Sequence, residues 1–459
     1  MARDVDLGRR DVEGVVHPFT DLSALGESGP LVLERGRGIY VYDNEGREYI
    51  EGLSGLWCAS LGYGNEELAE AAREQMGRLS FSHLFGGKSH PLAIELAEKL
   101  KETAPCPASR VLFCSGGSEA NDMQVKLTWY YNNARGRTRK KKIISRHRAY
   151  HGVTVASGSL TGLPVVHGDF DLPIGGILHT ACPHHYREGR DGETEEEFTA
   201  RLAAELEELI IREGPETIAA FIAEPVMGAA GVIVPPEGYF EAITAVLEKY
   251  DVRLISDEVI CGFGRTGEMF GCQALGFRPH SISVAKAMTS ACFPLAAITV
   301  EEDLYQAMVD ESRKQGLFGH GYTYTGHPVG CAVALKVLEI YERDDMVGQA
   351  ARKGRLFEAH VARLAGHPLV GEGRALGMVG AVELVADKKS GKPFDPASRV
   401  GARAVEFAQR RGLICRAMGD SVALCPPLII GEDEMEEMFR RLETALDDTE
   451  RWARGEGLI

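Results

Sequence analysis

From Arg110 to about residue 300 the sequence alternates short apolar runs with amphipathic stretches, and this limits the fold more than any other feature of the chain. Strands are expected at 111–114, 143–146, 219–223, 252–256, 282–285 and 295–300. Helices are expected near 119–133, 196–213, 238–250 and 302–309. Apolar runs such as Ala219 to Ala223 read as strands buried on both faces. Strands of that kind separated by helices imply an α/β fold: a mostly parallel sheet with helices on both sides.

Three of these strands run into residues with chemistry. Ser281-Ile282-Ser283-Val284-Ala285 ends in Lys286, with no carboxylate within ten positions on either side. A desolvated lysine has a lowered pKa and becomes a usable amine nucleophile. A lysine that ends an edge strand and reaches into water fits this stretch equally well. Val252 to Ile255 opens into Ser256-Asp257-Glu258, twenty-nine positions before the lysine. An aspartate there can pair with a pyridinium nitrogen, or can simply cap a helix. Val111 to Cys114 leads through Ser115-Gly116-Gly117-Ser118 into a helix-like segment. That is a phosphate cradle or an ordinary glycine turn with Ser118 as cap. Together, a phosphate cradle, a pyridinium partner and a lysine that can hold an aldehyde are the groups pyridoxal-phosphate chemistry requires.

The wider motif series carries a resemblance. Ser115-Gly116-Gly117-Ser118-Glu119-Ala120-Asn121, Tyr150-His151-Gly152, Glu224-Pro225, Asp257-Glu258-Val259, Gly262-Phe263-Gly264-Arg265-Thr266-Gly267, Lys286 and Thr323-Tyr324-Thr325-Gly326-His327-Pro328 occur in this order along nearly the whole chain. The series resembles that of class III pyridoxal-phosphate aminotransferases. Gly55-Leu56-Trp57-Cys58 and Leu413-Ile414-Cys415-Arg416 resemble the ω-amino acid/amine:pyruvate group within it.

The resemblance implies fold type I, with a large domain around a seven-stranded-type sheet and a smaller α+β domain built from both termini. The expected division is an N-terminal arm with part of the small domain in 1–60, a large cofactor-binding domain in 61–335 and a C-terminal small domain in 336–459. It implies pyridoxal 5'-phosphate as cofactor and a ping-pong transfer from an amine donor to a 2-oxo acid through an aldimine at Lys286. Asp257 would pair with the pyridine nitrogen, and Gly117 and Ser118 would hold the phosphate. Tyr150 and Val259 would take the two ring faces, and Glu224 would lie near the phenolic oxygen. A homodimer is implied, with Thr323 and Phe85 supplied to each site by the second copy. Leu56, Trp57 and Phe85 would form the apolar wall for the substrate, and Arg416 would clamp a carboxylate. Relatives acting on ornithine or 4-aminobutyrate have a glutamate where this chain has Ala229, so that means of neutralising Arg416 is missing.

The flanks read as smaller units. Ile39 to Asp43, the turn Asp43-Asn44-Glu45-Gly46-Arg47 and Tyr49 to Glu51 form a hairpin. Helices are expected at 65–78, 91–103, 328–343 and 346–365, followed by strands at 369–373 and 378–386, a helix at 397–411, short strands at 413–416 and 422–425, and a helix at 432–448. Lys plus Arg is 51 and Asp plus Glu 67, a net charge of −16 that disfavours nucleic acid as a partner. The one dense basic stretch, Arg135 to Lys142, reads as a solvated loop. No apolar run is long enough to span a membrane. The ten scattered cysteines lack a CxxC pair and read as reduced thiols of a cytoplasmic protein. Two other readings compete with a pyruvate-linked enzyme: a class III aminotransferase using 2-oxoglutarate with a 4-aminobutyrate- or diamine-type donor, and a non-catalytic scaffold. The scaffold has no need of Lys286 and Asp257. A dinucleotide site fails because Gly262 to Gly267 does not open a helix after a first strand.

Overall fold

A computed structural model describes residues 6–459. Near the N-terminus, β1 (Leu33–Arg37), β2 (Tyr40–Asp43) and β3 (Glu48–Glu51) form an antiparallel unit. Asp43 closes its turn by accepting the backbone N–H groups of Glu45 at 3.0 Å and Arg47 at 2.9 Å. Gly46 supplies a φ of +83° that a residue with a side chain rarely adopts.

The centre is a seven-stranded sheet of β4 (Arg110–Cys114), β5 (Lys142–Arg146), β6 (Ile177–Thr180), β7 (Ile218–Ala223), β8 (Arg253–Asp257), β9 (Ser281–Val284) and β10 (Ala296–Val300). Their order is β4-β10-β9-β8-β7-β5-β6, and β10 alone runs against its neighbours. Every residue of β7, β9 and β10 is buried, which is why these segments read as strands in the sequence. β6 was not expected. It is a four-residue edge strand with its middle two residues half-buried, too short to show a period.

The chain then packs the helices Pro328–Arg343 and Met346–Leu364 and enters a second four-stranded sheet. That sheet contains β11 (Val370–Leu376) and β12 (Val379–Leu384). After the helix Val400–Arg410, the run expected as one strand at 413–416 divides. β13 (Leu413–Ile414) pairs parallel to β3, whereas β14 (Arg416–Met418) pairs with β15 (Ser421–Leu424). Gly52 donates its N–H to the Ile414 carbonyl at 2.9 Å, and Cys415 is where the chain crosses from one sheet to the other. A 24-residue helix, Glu432–Gly455, closes the chain, longer than expected.

Two further segments differ from the sequence reading. An N-terminal helix, Leu7–Gly14, is capped by Asp6 and has no buried residue, so burial leaves no mark on its pattern. The basic stretch before β5 is pinned rather than free: Lys140 is buried and pairs with Asp251 at 2.7 Å, and Arg137 reaches the same carboxylate at 2.8 Å. Among the described residues no helix is long and apolar enough to cross a membrane.

Candidate active site

The carboxyl ends of β4, β5, β7, β8 and β9 lie along one edge of the central sheet, where ligands bind in open α/β folds. A cavity of about 520 Å³ opens there. Gly117, Ser118, Tyr150, Glu224, Asp257, Val259 and Lys286 line it from the large sheet, Leu56 and Trp57 from the N-terminal segment, Ala229 from the segment after β7, and Arg416 from β14.

Lys286 follows β9 by two residues and opens a short 3₁₀ turn with φ +50°. A lysine in the left-handed region costs free energy, and such positions concentrate at functional sites. Burial lowers the pKa of its amine, opposed by the Cys58 thiol and the carboxylates Asp257 and Glu224. Asp257 ends β8. Its Oδ2 accepts N–H groups of Asn121 at 2.7 Å and His151 Nδ1 at 2.8 Å, and its Oδ1 accepts the Val259 N–H at 3.1 Å. The carboxylate is therefore fixed from three sides.

The helix Gly117–Ala134 starts at the cavity with no side chain capping its first amides. Its first turn is kept close to the neighbouring loop by Gly152, whose φ is +128°. A Cβ there would collide with the Ser118 and Ser157 hydroxyls. Asp122 ties helix to loop by accepting the Thr154 hydroxyl at 2.6 Å and the Ser157 N–H at 2.8 Å. Helix amides approached through glycine form an anion site. Val259 packs beside it, since a Cβ on Gly117 would lie 3.0 Å from Val259 Cγ1. Glu224 accepts the N–H groups of Tyr150 and Gly228, each at 3.0 Å, and burial raises its pKa. Glu258 points away and serves structure, accepting the amides of Gly271 at 2.8 Å and Cys272 at 2.9 Å.

Leu56 and Trp57 sit on a bent segment with φ +52° at Ser54, +67° at Gly55 and +63° at Trp57. Trp57 is 3% exposed and Leu56 52%, so the tryptophan belongs to the core and to the cavity wall at once. Burial lowers the Arg416 pKa, partly offset by Tyr150, and no carboxylate pairs with Arg416 among the described residues. Two expected residues lie outside the cavity of the single chain. Phe85 is 49% exposed and Thr323 is exposed on a neighbouring loop; a Cβ on Gly321 would stand 3.1 Å from the Phe85 ring.

The sequence reading did not single out Asn121, His151, Arg148 or Phe19. The first two lie inside quoted motifs, but their shared acceptor is evident only in the fold. Phe19 reaches the cavity from the N-terminal arm, its ring 6.1 Å from that of Tyr150 in an edge-on arrangement. Residues 23–446 match the family model "Aminotransferase class-III". "Uncharacterized aminotransferase y4uB" of Sinorhizobium fredii is 48% identical over 447 residues, 96% of each chain. "Gamma aminobutyrate transaminase 3, chloroplastic" of Solanum lycopersicum is 45% identical over 451 residues, 97% of this chain and 87% of that one. Among solved structures, the omega transaminase from Pseudomonas jessenii in complex with PMP superposes with a TM-score of 0.96 at 52% identity, over 97% of this chain and 98% of that one. The chain belongs to the class III aminotransferases and has their pyridoxal-phosphate-dependent transaminase fold.

Proposed function

We propose that this aminotransferase binds pyridoxal 5'-phosphate and moves an amino group from an ω-amino acid or amine to pyruvate. The observation that carries this reading is the convergence at one cavity of a partly buried lysine, a rigidly held aspartate, an uncapped helix N-terminus and an unpaired arginine. The residues fit the cofactor, because the helix that begins at Gly117 turns its first amides, uncapped by any side chain, towards the cavity that Lys286 and Asp257 also line. When bound, the cofactor supplies the electron sink on which transamination depends.

The chain's own groups supply the rest. Lys286 Nζ anchors the cofactor and carries the proton to and from the reacting substrate carbon. Asp257 sets its charge against the pyridine nitrogen, and Asn121 and His151 hold it in place. Gly117 and Ser118 take the phosphate, Tyr150 and Val259 flank the ring, and Glu224 serves the phenolic oxygen. Arg416 clamps the acceptor carboxylate. With alanine at 229 no acid from that segment neutralises it, so a donor without a carboxylate requires Arg416 to swing aside.

We further infer a homodimer in which Phe85 and Thr323 complete the second copy's cavity. Phe81, Phe85 and Tyr324 are all more than 40% exposed, and the Phe81 and Tyr324 ring centres lie 6.1 Å apart. All ten cysteines are free, which fits a reducing compartment such as the cytoplasm.

A second reading, transfer to 2-oxoglutarate, is favoured by the similarity to gamma-aminobutyrate transaminases. The test is a half-reaction without acceptor. Protein loaded with cofactor is mixed separately with β-alanine, putrescine and 1-phenylethylamine while the visible absorbance of the bound cofactor is followed. Bleaching by one donor, reversed by pyruvate and not by 2-oxoglutarate, is the expected result. Reversal by 2-oxoglutarate alone selects the second reading, and a spectrum unmoved by every donor contradicts both.

A further inference from the structure

Arg416 is not the only arginine that lines the cavity. Arg148 lines it too, and none of the steps above uses it. It stands two residues after β5 with φ +68°, a region side-chain-bearing residues occupy at a cost. Its backbone N–H donates to the Gly162 carbonyl at 2.8 Å, and Gly162 has no room for a Cβ, which would lie 2.7 Å from the Arg148 nitrogen. The backbone under Arg148 is thus fixed.

The guanidinium is fixed as well. Nη2 donates to the Ala230 carbonyl at 2.9 Å, and Nη1 contacts His184 Nδ1 at 3.2 Å. His184 is buried, and its Nε2 lies 3.0 Å from a Glu372 oxygen that Arg374 holds at 2.6 Å. Burial lowers the His184 pKa, with Glu372 opposing, so the ring is neutral near neutral pH. Its proton sits on Nε2 facing the carboxylate, and the Nδ1 lone pair accepts from Arg148. Every hydrogen-bond partner of Arg148 is therefore uncharged. It is oriented without being neutralised, and no carboxylate pairs with it among the described residues.

The acids of the cavity are already engaged. Asp257 is held by Asn121 and His151, and Glu224 by the amides of Tyr150 and Gly228. Neither guanidinium of the cavity is therefore in an ion pair with a carboxylate among the described residues, and guanidinium is the side chain best matched to one. One carboxylate, clamped by Arg416, satisfies only one of them.

We propose that Arg148 binds the carboxylate at the end of a substrate remote from its reacting carbon, so that the donor is an ω-amino carboxylate rather than a plain amine. This rests on the aminotransferase reading and specifies the substrate class within it. A 2-oxo dicarboxylate acceptor carries the same remote group, and the test separates the two.

Glutarate and butyrate, which cannot react, are titrated calorimetrically into the cofactor-loaded protein at equal ionic strength. Glutarate should bind about 10- to 100-fold tighter, the worth of one charge-assisted contact. Arg148→Met should abolish that preference and Arg148→Lys should keep part of it. Equal binding of the two acids by the parent, or no binding of glutarate, overturns the proposal without need of any variant. In turnover, Arg148→Met should lower the preference for 4-aminobutyrate over butylamine by a similar factor. A fall confined to the preference for 2-oxoglutarate over 2-oxobutyrate overturns the donor assignment. An enzyme that transaminates but treats glutarate like butyrate retains the proposed function and loses this site.

Discussion

At the scale of single residues, the site depends on groups held where water would otherwise satisfy them. Lys286 carries the heaviest demand: its amine is partly buried, its pKa is lowered, and its backbone is left-handed. Lys286→Ala should cut turnover by at least about 10³-fold, the scale of a lost proton-transfer group, in a single-turnover assay. Arg416→Ala should raise the KM for pyruvate at least about tenfold while changing that for a simple amine far less, and equal changes contradict the clamp. Glu51 makes a different demand. It accepts the Leu53 N–H at 3.0 Å and the Tyr63 hydroxyl at 3.2 Å, beneath the bent segment that carries Leu56 and Trp57. Burial raises its pKa from 4.5 to about 7. Between those pH values the folded chain keeps a proton that the unfolded chain has released, so this group's contribution to stability falls as pH rises. The fall totals about 3 kcal/mol and ends above pH 7. Thermal melts of the parent and Glu51→Gln at about pH 5 and pH 8 should show the parent's advantage shrinking as pH rises; a gap that stays constant contradicts the shifted carboxyl.

At the scale of elements, legibility followed burial and contact distance along the chain. β7, β8 and β9 were readable because a strand covered on both faces shows a continuous apolar run. For the same reason Asp257 and Lys286 stood out as charges at the ends of such runs. β6 left no such trace, being short and on the edge. The split between β13 and β14 was unreadable because it is decided by pairing with β3, more than 350 residues earlier, on one side and with β15 on the other. Asn121 and His151 were visible as motif letters, but not as a pair converging on one carboxylate, because that depends on how the helix and the loop pack. Nothing in the sequence sets Arg148 apart from Arg146 two positions before it. The packing of the helix against the Gly152 loop gives a test at this scale. Gly152→Ala puts a methyl against two hydroxyls and a left-handed backbone, so it should weaken phosphate-dependent cofactor binding at least about tenfold by equilibrium dialysis. Unchanged affinity would show that the phosphate lies elsewhere.

At the scale of the whole molecule, β13 from the far end of the chain joins the N-terminal sheet beside β3, so residues near Glu51 and Ile414 are fixed together. Trp57 and Arg416 reach the cavity from opposite ends of the sequence by that route. Sedimentation should find a dimer, and Tyr324→Asp should shift it towards monomer while lowering cofactor affinity, since Thr323 lies on the same exposed loop. The account turns on Lys286 being the residue that holds the cofactor. Protein loaded with pyridoxal phosphate and reduced with borohydride should carry one added cofactor per chain, and peptide mass mapping should place it on Lys286. Attachment to another lysine, or none at all, would contradict the account at its centre.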